Sequence, residues 1–431
     1  MSATLDAPAG AEAPQQRPRP KLVSHVWRIA RVLASLQLTV ALFAFSMVLV
    51  FFGTLAQVDK GIWTVVDEYF RSWYVWVPFQ LIAKFGWKFF EFPGPQAVWS
   101  GSFPLPGGWL LGGVMFANLI AAHLTRFKLS WRRSGIILIH TGVIVLMLGE
   151  LVTGLYAIES RMVLQVGETT NFIDHSLRVE LAFTDPATGR TVIVPQDMLK
   201  SGNVISHPDL PVDVEVIKYM KNTDLFPATD GDDLDGVVRV DGVRYAVVPS
   251  TEQPGVKSER EDAAAVQVKL LKKGTSDVLA ERLLSLWQYG NYTGRQYLAV
   301  PVEVTVDGKP FRVQLRNERI TKPYSVELLA FEHKQYIGTN TPKDFASTVR
   351  LRDPETGDDR QVRIWMNHPL RHRGETFYQH QTVLGDTGTV LQVVKNPGWL
   401  LPYLSCGIVT VGMLLHFGMN LVKFTNRRAA A

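Results

Sequence analysis

Four long apolar windows constrain the fold of this chain more than any other feature of its sequence. They cover residues 32–57, 107–125, 134–158 and 397–424, and charged side chains are almost absent from them. An α-helix rises 1.5 Å per residue and the hydrocarbon core of a bilayer is about 30 Å thick, so about 20 apolar residues cross it. We therefore predict a membrane anchor of four transmembrane helices.

Basic residues cluster beside alternate ends of these windows. The three clusters are Lys21, Arg28 and Arg31, then Arg126, Lys128, Arg132 and Arg133 in the short loop 126–133, then Lys423, Arg427 and Arg428. Four crossings put all three clusters on one side, which the positive-inside rule assigns to the cytoplasm. We expect a bacterial inner-membrane protein with cytoplasmic tails, 1–31 and 425–431. The net charge of +5 then reflects topology and not a nucleic-acid partner.

Two other segments outside the windows differ in character. Residues 1–20 are rich in Ala, Pro and Gln, and we predict that they are disordered. The outer loop 58–106 contains an aromatic stretch, 69–92, whose longest uncharged run of about 12 residues is too short to cross a bilayer. Tryptophan and tyrosine with scattered lysines favour the headgroup layer, so we predict an interfacial helix there.

Residues 159–396 contain short runs in which apolar side chains alternate, such as 239–248, 298–306 and 362–366. This period and the intervening turn sequences are typical of antiparallel strands, so we predict a large β-rich, sandwich-like periplasmic domain. A helix is considered only over residues 277–286. His368, His372 and His380 lack the spacing of a metal site, and the segments Asn367–Leu370 and Tyr378–His380 are interpreted as turn and strand residues. We identify no catalytic residues.

Ionisable side chains inside the windows are the candidate functional residues, because such groups are costly in hydrocarbon. His123, His140 and His416 each lie within seven residues of a basic end. We expect all three at a similar depth, roughly 5–10 Å inside the cytoplasmic edge. A neutral imidazole suits haem iron as an axial ligand, and it equally hydrogen-bonds a neighbouring helix, so both roles stay open.

Other residues near these histidines allow more than one interpretation. Small residues would let a flat macrocycle approach the backbone, and they suit plain helix packing equally; they are Ala117, Ala121, Ala122, Gly135 and Gly142. Glu150 is either a packing acid or part of a polar path. Cys406, the single cysteine, is expected to be buried in its helix, and one cysteine excludes the C-x-x-C-H haem-attachment motif.

The order of several segments carries a family resemblance. These segments are Leu33–Val40 and Phe52–Gln57 in the first window, Asn118–Phe127 and Ser130–Ile136 around the basic loop, and Asp344-Phe345, Met366–Leu370 and Phe377–Gln379 near the last window. Together they resemble the ResB (CcsB) family of system II cytochrome c biogenesis. The resemblance covers nearly the whole chain from about residue 25.

The resemblance implies a subunit of a haem exporter and cytochrome c synthase, itself non-catalytic or co-catalytic. Its expected partners are a CcsA (ResC) subunit and apocytochrome c. It implies that haem b enters on the cytoplasmic side and is ligated by one histidine from each subunit. His123 matches the ligand expected on this subunit, and His140 is the second choice. The partner is expected to supply the opposite axial ligand and the tryptophan-rich segment where haem is attached.

Two other functions also fit the sequence. The first is a b-type cytochrome that transfers electrons through a haem held by two of the three histidines. The second is a membrane anchor whose outer domain binds another protein, with histidines that only pack.

Overall fold

The computed structural model describes residues 21–91, 98–126, 130–228, 237–240, 243–252, 262–288, 301–338, 342–383 and 387–429. The tail 1–20, predicted to be disordered, and residues 127–129 of the basic loop lie outside these ranges. The described residues form a group of helices, a loop over residues 58–106 (the outer loop) and a β-rich domain over residues 158–395 (the outer domain).

Within the described ranges, four helices are long and apolar enough to cross a membrane. The helices are α1 (Lys21–Leu33), α2 (Leu36–Lys60), α3 (Ile62–Val65), α4 (Phe79–Phe90), α5 (Gly108–Arg126), α6 (Ser134–Tyr156) and α7 (Leu401–Ala429). Helices α2, α5, α6 and α7 occupy the four apolar windows, which confirms the predicted anchor. Helix α1 is amphipathic and lies in the stretch that the sequence assigned to a tail.

The membrane helices pack as two pairs. Helix α6 packs along α7 over most of its length, whereas α5 packs against α1 and α2. Leu42, Leu49 and Ala56 are spaced by seven residues on α2 and are buried. Because seven residues make about two helical turns, they form one stripe facing the rest of this pair. Helices α5 and α6 meet over a shorter stretch, which makes a seam between the pairs.

The outer loop is only partly the predicted interfacial helix. After α3, a π-helical turn (Val66–Phe70) leads into strand β1 (Tyr74–Pro78), which pairs antiparallel with β2 (Ser102–Pro106). Helix α4 therefore covers only the second half of the stretch 69–92. This strand pairing joins residues that are far apart in the sequence, so the local pattern of residues 69–92 did not predict it. Exposed aromatic side chains remain on this loop, including Trp73, Trp76 and Phe89.

The outer domain is built from antiparallel strands, as predicted. They are β3 (Ile158–Gln165), β4 (Thr169–Thr184), β5 (Thr191–Pro195), β6 (Val204–Ile205), β7 (Asp213–Met220), β8 (Thr223–Pro227), β9 (Val237–Val240), β10 (Val243–Pro249), β11 (Ala265–Leu271), β12 (Val278–Ser285), β13 (Val302–Val306), β14 (Lys309–Gln335), β15 (Pro342–Asp353), β16 (Asp358–Trp365), β17 (Leu370–His372), β18 (Glu375–Thr382) and β19 (Gly388–Lys395). The prediction of a possible helix over residues 277–286 is wrong, because that segment forms β12 and pairs with β11.

The described residues of this domain form three sheets with two hydrophobic cores. A ten-stranded sheet runs β16-β15-β14-β4-β3-β19-β18-β17, with β13 on β14 and β5 on β4. A four-stranded sheet (β12-β11-β7-β6) and a three-stranded one (β8-β10-β9) complete it. The long strand β14 contributes Leu315 to the first core and Leu328 to the second, and β4 likewise contributes Leu181 and Ile173. These two strands therefore join the halves of the domain.

The chain path sets the basic segments and the β domain at opposite ends of the helices. Helix α6 begins beside Arg133 and ends two residues before β3, while α7 begins six residues after β19 and carries Arg427 and Arg428 in its last turn. The two helices run antiparallel. If they cross a bilayer, the domain and the basic residues lie on different sides of it.

Candidate functional site

His123 of α5 and His140 of α6 meet at the seam between the two helix pairs. Their ring centroids are 5.6 Å apart, with the ring planes inclined by 65° in an edge-to-face contact. Such a separation is an ordinary direct contact between two rings. The sequence placed these side chains at a similar depth, but it did not indicate that they touch.

The hydrogen bonds of these two histidines define their tautomer. His123 Nδ1 lies 3.0 Å from the carbonyl oxygen of Leu119, and His140 Nδ1 lies 2.8 Å from that of Ile136. A carbonyl oxygen only accepts, so each Nδ1 carries the proton and donates. In the neutral ring the unprotonated nitrogen is then Nε2, which is the nitrogen that a metal ion can bind. Both side chains therefore have the chemistry of an axial haem ligand.

His416 of α7 has a different environment. Its Nε2 accepts a hydrogen bond from the Asn420 amide at 3.2 Å, so the nitrogen that would bind a metal is already in use. Its backbone packs against the start of α6, where a Cβ built on Gly135 would lie 2.7 Å from His416 Cβ. The structure therefore brings together two of the three candidate ligands, whereas the third has its Nε2 hydrogen-bonded to Asn420.

The glycines near His140 serve helix packing. Gly135, Gly142 and Gly149 are buried and spaced by seven residues along the face of α6 that contacts α7. A Cβ on Gly142 would lie 2.5 Å from Val409 Cγ2, and one on Gly149 would lie 2.9 Å from Leu401 Cβ. Small residues allow two helix backbones to approach closely in a membrane. Of the two interpretations open for Gly135 and Gly142, close packing matches these contacts.

Asn118 is a buried polar residue whose role the sequence did not indicate. It lies on α5 and is 4% exposed. Its amide nitrogen donates to the carbonyl oxygens of Leu33 and Ser35, and its oxygen accepts from Thr39 Oγ1 at 2.9 Å. These partners surround the break between α1 and α2, where backbone groups lack helical partners. Asn118 thus joins the segment between α1 and α2 to α5 by hydrogen bonds, five residues before His123.

Two other ionisable or reactive residues of the membrane helices lie at the surface. Cys406 is exposed, so the expectation that it is buried is wrong. The neighbouring Ser405 is buried and donates to the Gly142 carbonyl at 2.7 Å, which turns Cys406 away from α6. Glu150 is exposed beside the buried Gly149, and it is not part of the His123–His140 contact.

The three histidines late in the outer domain lie in separate places. The His368 ring stacks on Trp365 at 3.8 Å, and His380 of β18 lines a cleft. His372 Nε2 lies 2.7 Å from Asp353 Oδ2. The Arg373 guanidinium also binds Asp353 and, as the main cause, holds the pKa of that carboxyl well below its usual range. The sequence predicted turn and strand positions for His368 and His380, and they lie after β16 and within β18.

Comparisons with known proteins match one segment of the chain to a family. The model of the ResB-like family matches residues 283–388, which run from the end of β12 to the start of β19. Protein NrfI of Wolinella succinogenes is 33% identical over 110 residues, which make up 26% of this chain and 12% of NrfI. The chain therefore covers only a small part of NrfI. The resemblance to the ResB-like family seen in the sequence is confirmed over residues 283–388.

Proposed function

We propose that this chain is the ResB-like subunit of a haem-export and cytochrome c synthase complex in the bacterial inner membrane. Its termini lie in the cytoplasm and its β domain in the periplasm. It works with a CcsA/ResC-like membrane subunit to carry haem, as cargo, toward apocytochrome c. The match of residues 283–388 to the ResB-like family supports a role in cytochrome c biogenesis.

The contact between His123 and His140 is the observation that carries the haem-handling part of the proposal. Both rings donate through Nδ1 to the carbonyl four residues earlier in their own helix, so in the neutral ring Nε2 carries the lone pair that can ligate a metal. They lie on the half of the helices near the basic residues, which the positive-inside rule places toward the cytoplasm. A site there suits haem that enters from the cytoplasmic leaflet.

A second membrane subunit is the proposed source of the other axial ligand. The rings of His123 and His140 are in direct contact at 5.6 Å, which argues against a haem held between them. We propose that His123 ligates the iron from this subunit and that His140 orients its ring. The direct contact of the two rings therefore argues against a b-type cytochrome in which His123 and His140 of one chain both ligate the iron.

The test compares His123→Ala with His416→Ala in the complex purified with its CcsA/ResC-like partner. Haem content is measured by absorbance, and cytochrome c maturation is measured by haem staining of cells. We expect His123→Ala to lose most of the haem and to stop maturation, because the iron loses its ligand from this subunit. His416→Ala serves as the matched control and should retain both, since its Nε2 bonds Asn420.

Three results would contradict parts of the proposal. Full haem content in His123→Ala would remove the ligand assignment. Reversible haem redox cycling in this chain purified alone would favour the b-type cytochrome. A colourless complex with normal maturation in all variants would favour the structural anchor.

A further inference from the structure

A cleft of about 520 Å³ lies where the outer loop meets both halves of the β domain. Trp63 and Asp67 line it from the loop, Arg161 and Gln392 from the ten-stranded sheet, and Tyr219 from the four-stranded sheet. Pockets that bind ligands commonly measure about 300–1,000 Å³. The cleft therefore has the size of a binding site and is separate from the histidines in the membrane.

Polar contacts tie the walls of this cleft together. Thr64 of the outer loop donates a hydrogen bond to the Glu252 carboxylate. Lys221 Nζ lies 3.4 Å from Glu252 Oε1 and 3.5 Å from Thr64 Oγ1. Burial, together with the Glu252 charge, raises the pKa of Tyr219 to about 12, so its phenol stays neutral. These contacts link the loop after α2 to the β domain at the wall of the cleft.

Acidic groups outnumber basic groups among the residues that line the cleft. The four acids are Asp67, Glu159, Glu252 and Asp262, and the two bases are Arg161 and Lys221. An excess of acids attracts cationic ligands, especially where protein walls focus the field. Haem carries carboxylates and would be repelled, so the cleft is poorly suited to the cargo itself.

Amide side chains make up much of the remaining polar lining. They are Gln196, Asn317, Gln381 and Gln392. An amide carries both a donor and an acceptor, like the N–H and C=O groups of a polypeptide backbone. Within the protein, Gln196 Oε1 accepts from the Val179 N–H and Gln392 Nε2 donates to Glu159. Trp63 and Tyr219 add aromatic faces that can pack against the stems and charged ends of lysine or arginine.

We propose that this cleft binds an extended polypeptide segment that carries lysine or arginine side chains. Resting on the proposed function, that segment belongs to the apocytochrome, which is held at the periplasmic end of the helices. The amides bind its backbone and the carboxylates bind its cationic side chains. The outer domain thereby selects the polypeptide while the membrane helices handle haem.

The test measures binding of a fluorescent 12-residue peptide of alternating lysine and glycine to the full-length protein. The protein is reconstituted in nanodiscs of uncharged phosphatidylcholine, so that the peptide does not bind anionic lipid. Binding is followed by fluorescence anisotropy. Glu159→Gln and Asp67→Asn each remove one charge from the cleft. Because a partly exposed charge pair contributes up to about 1 kcal/mol, each change should weaken binding by about three- to fivefold.

Two controls make the result specific. Glu303→Gln removes an exposed acid of β13 that does not line the cleft, and it should leave affinity unchanged. A peptide of alternating glutamate and glycine should not bind. Equal binding of both peptides, or an unchanged affinity in both cleft variants, would overturn the assignment.

The result of the peptide-binding assay does not depend on the proposed haem site in the membrane helices. The assay contains neither haem nor a partner subunit, so a negative result overturns the cleft assignment and leaves the role of His123 standing. Specific peptide binding combined with normal maturation in His123→Ala would support the cleft and overturn the haem site.

Discussion

Replacement of Gly412 by alanine tests whether the close approach of α6 and α7 stabilises the membrane helices. A Cβ at this position would lie 2.8 Å from the backbone nitrogen of Ile139 and 2.9 Å from the carbonyl oxygen of Gly135. Ordinary contacts begin at 3.4 Å, so both distances are short by about half an ångström or more. Because both neighbours are backbone atoms, no side-chain rotation relieves the overlap. The two helices must separate.

The size of the effect follows from overpacking. Extra carbon forced into a well-packed interface costs about 1–3 kcal/mol. Alanine gains up to about 1 kcal/mol over glycine in a helix interior, which offsets part of that cost. Gly418 lies in the same helix, and a Cβ there meets nothing within 4 Å. Gly418→Ala therefore gains helix propensity without a steric clash. The difference in unfolding free energy between the two variants is then the cost of the clash at Gly412.

The assay is unfolding of the full-length protein in mixed detergent micelles, followed by the circular dichroism of its helices. We expect Gly412→Ala to be less stable than Gly418→Ala by about 1–3 kcal/mol. Equal stability of the two variants would refute the inference that the glycine face of α6 and Gly412 hold these helices in backbone contact.

Three further predictions concern buried polar groups. Asn118→Leu removes three hydrogen bonds at the break between α1 and α2, and at about 0.6 kcal/mol each it should cost about 2 kcal/mol in the same unfolding assay. Asp353→Asn should lower the melting temperature at pH 7. Because the folded-state pKa of Asp353 is depressed, its stabilisation is present above the unfolded pKa of about 3.9 and is lost as the pH falls through the folded value. The melting temperatures of wild type and variant should therefore converge in acid. Arg316→Met leaves the Glu180 carboxylate, which is 1% exposed and bonded to Arg316 at 2.7 Å, buried without its cation. It should cost about 3–5 kcal/mol, and a second change, Glu180→Leu, should recover much of that loss; no recovery would contradict the role of the pair.

The sequence determined those features that depend on neighbouring residues alone. The four membrane helices followed from apolar length, because a helix satisfies its backbone hydrogen bonds within one segment. The antiparallel character of the outer domain followed from alternation and turn residues. The basic clusters indicated one common side, and the order of short segments indicated the ResB-like family, which residues 283–388 confirm.

Tertiary structure decided what depends on residues that are distant in the chain. Segment 277–286 suggested a helix, yet its pairing with β11 makes it a strand, because non-local strand contacts override local preference. Cys406 is exposed because Ser405 is the residue that faces α6. The sequence predicted a similar depth for His123 and His140, but only the rotation and packing of α5 and α6 put their rings in contact. Depth depends on position within one helix, whereas contact depends on how two helices face each other.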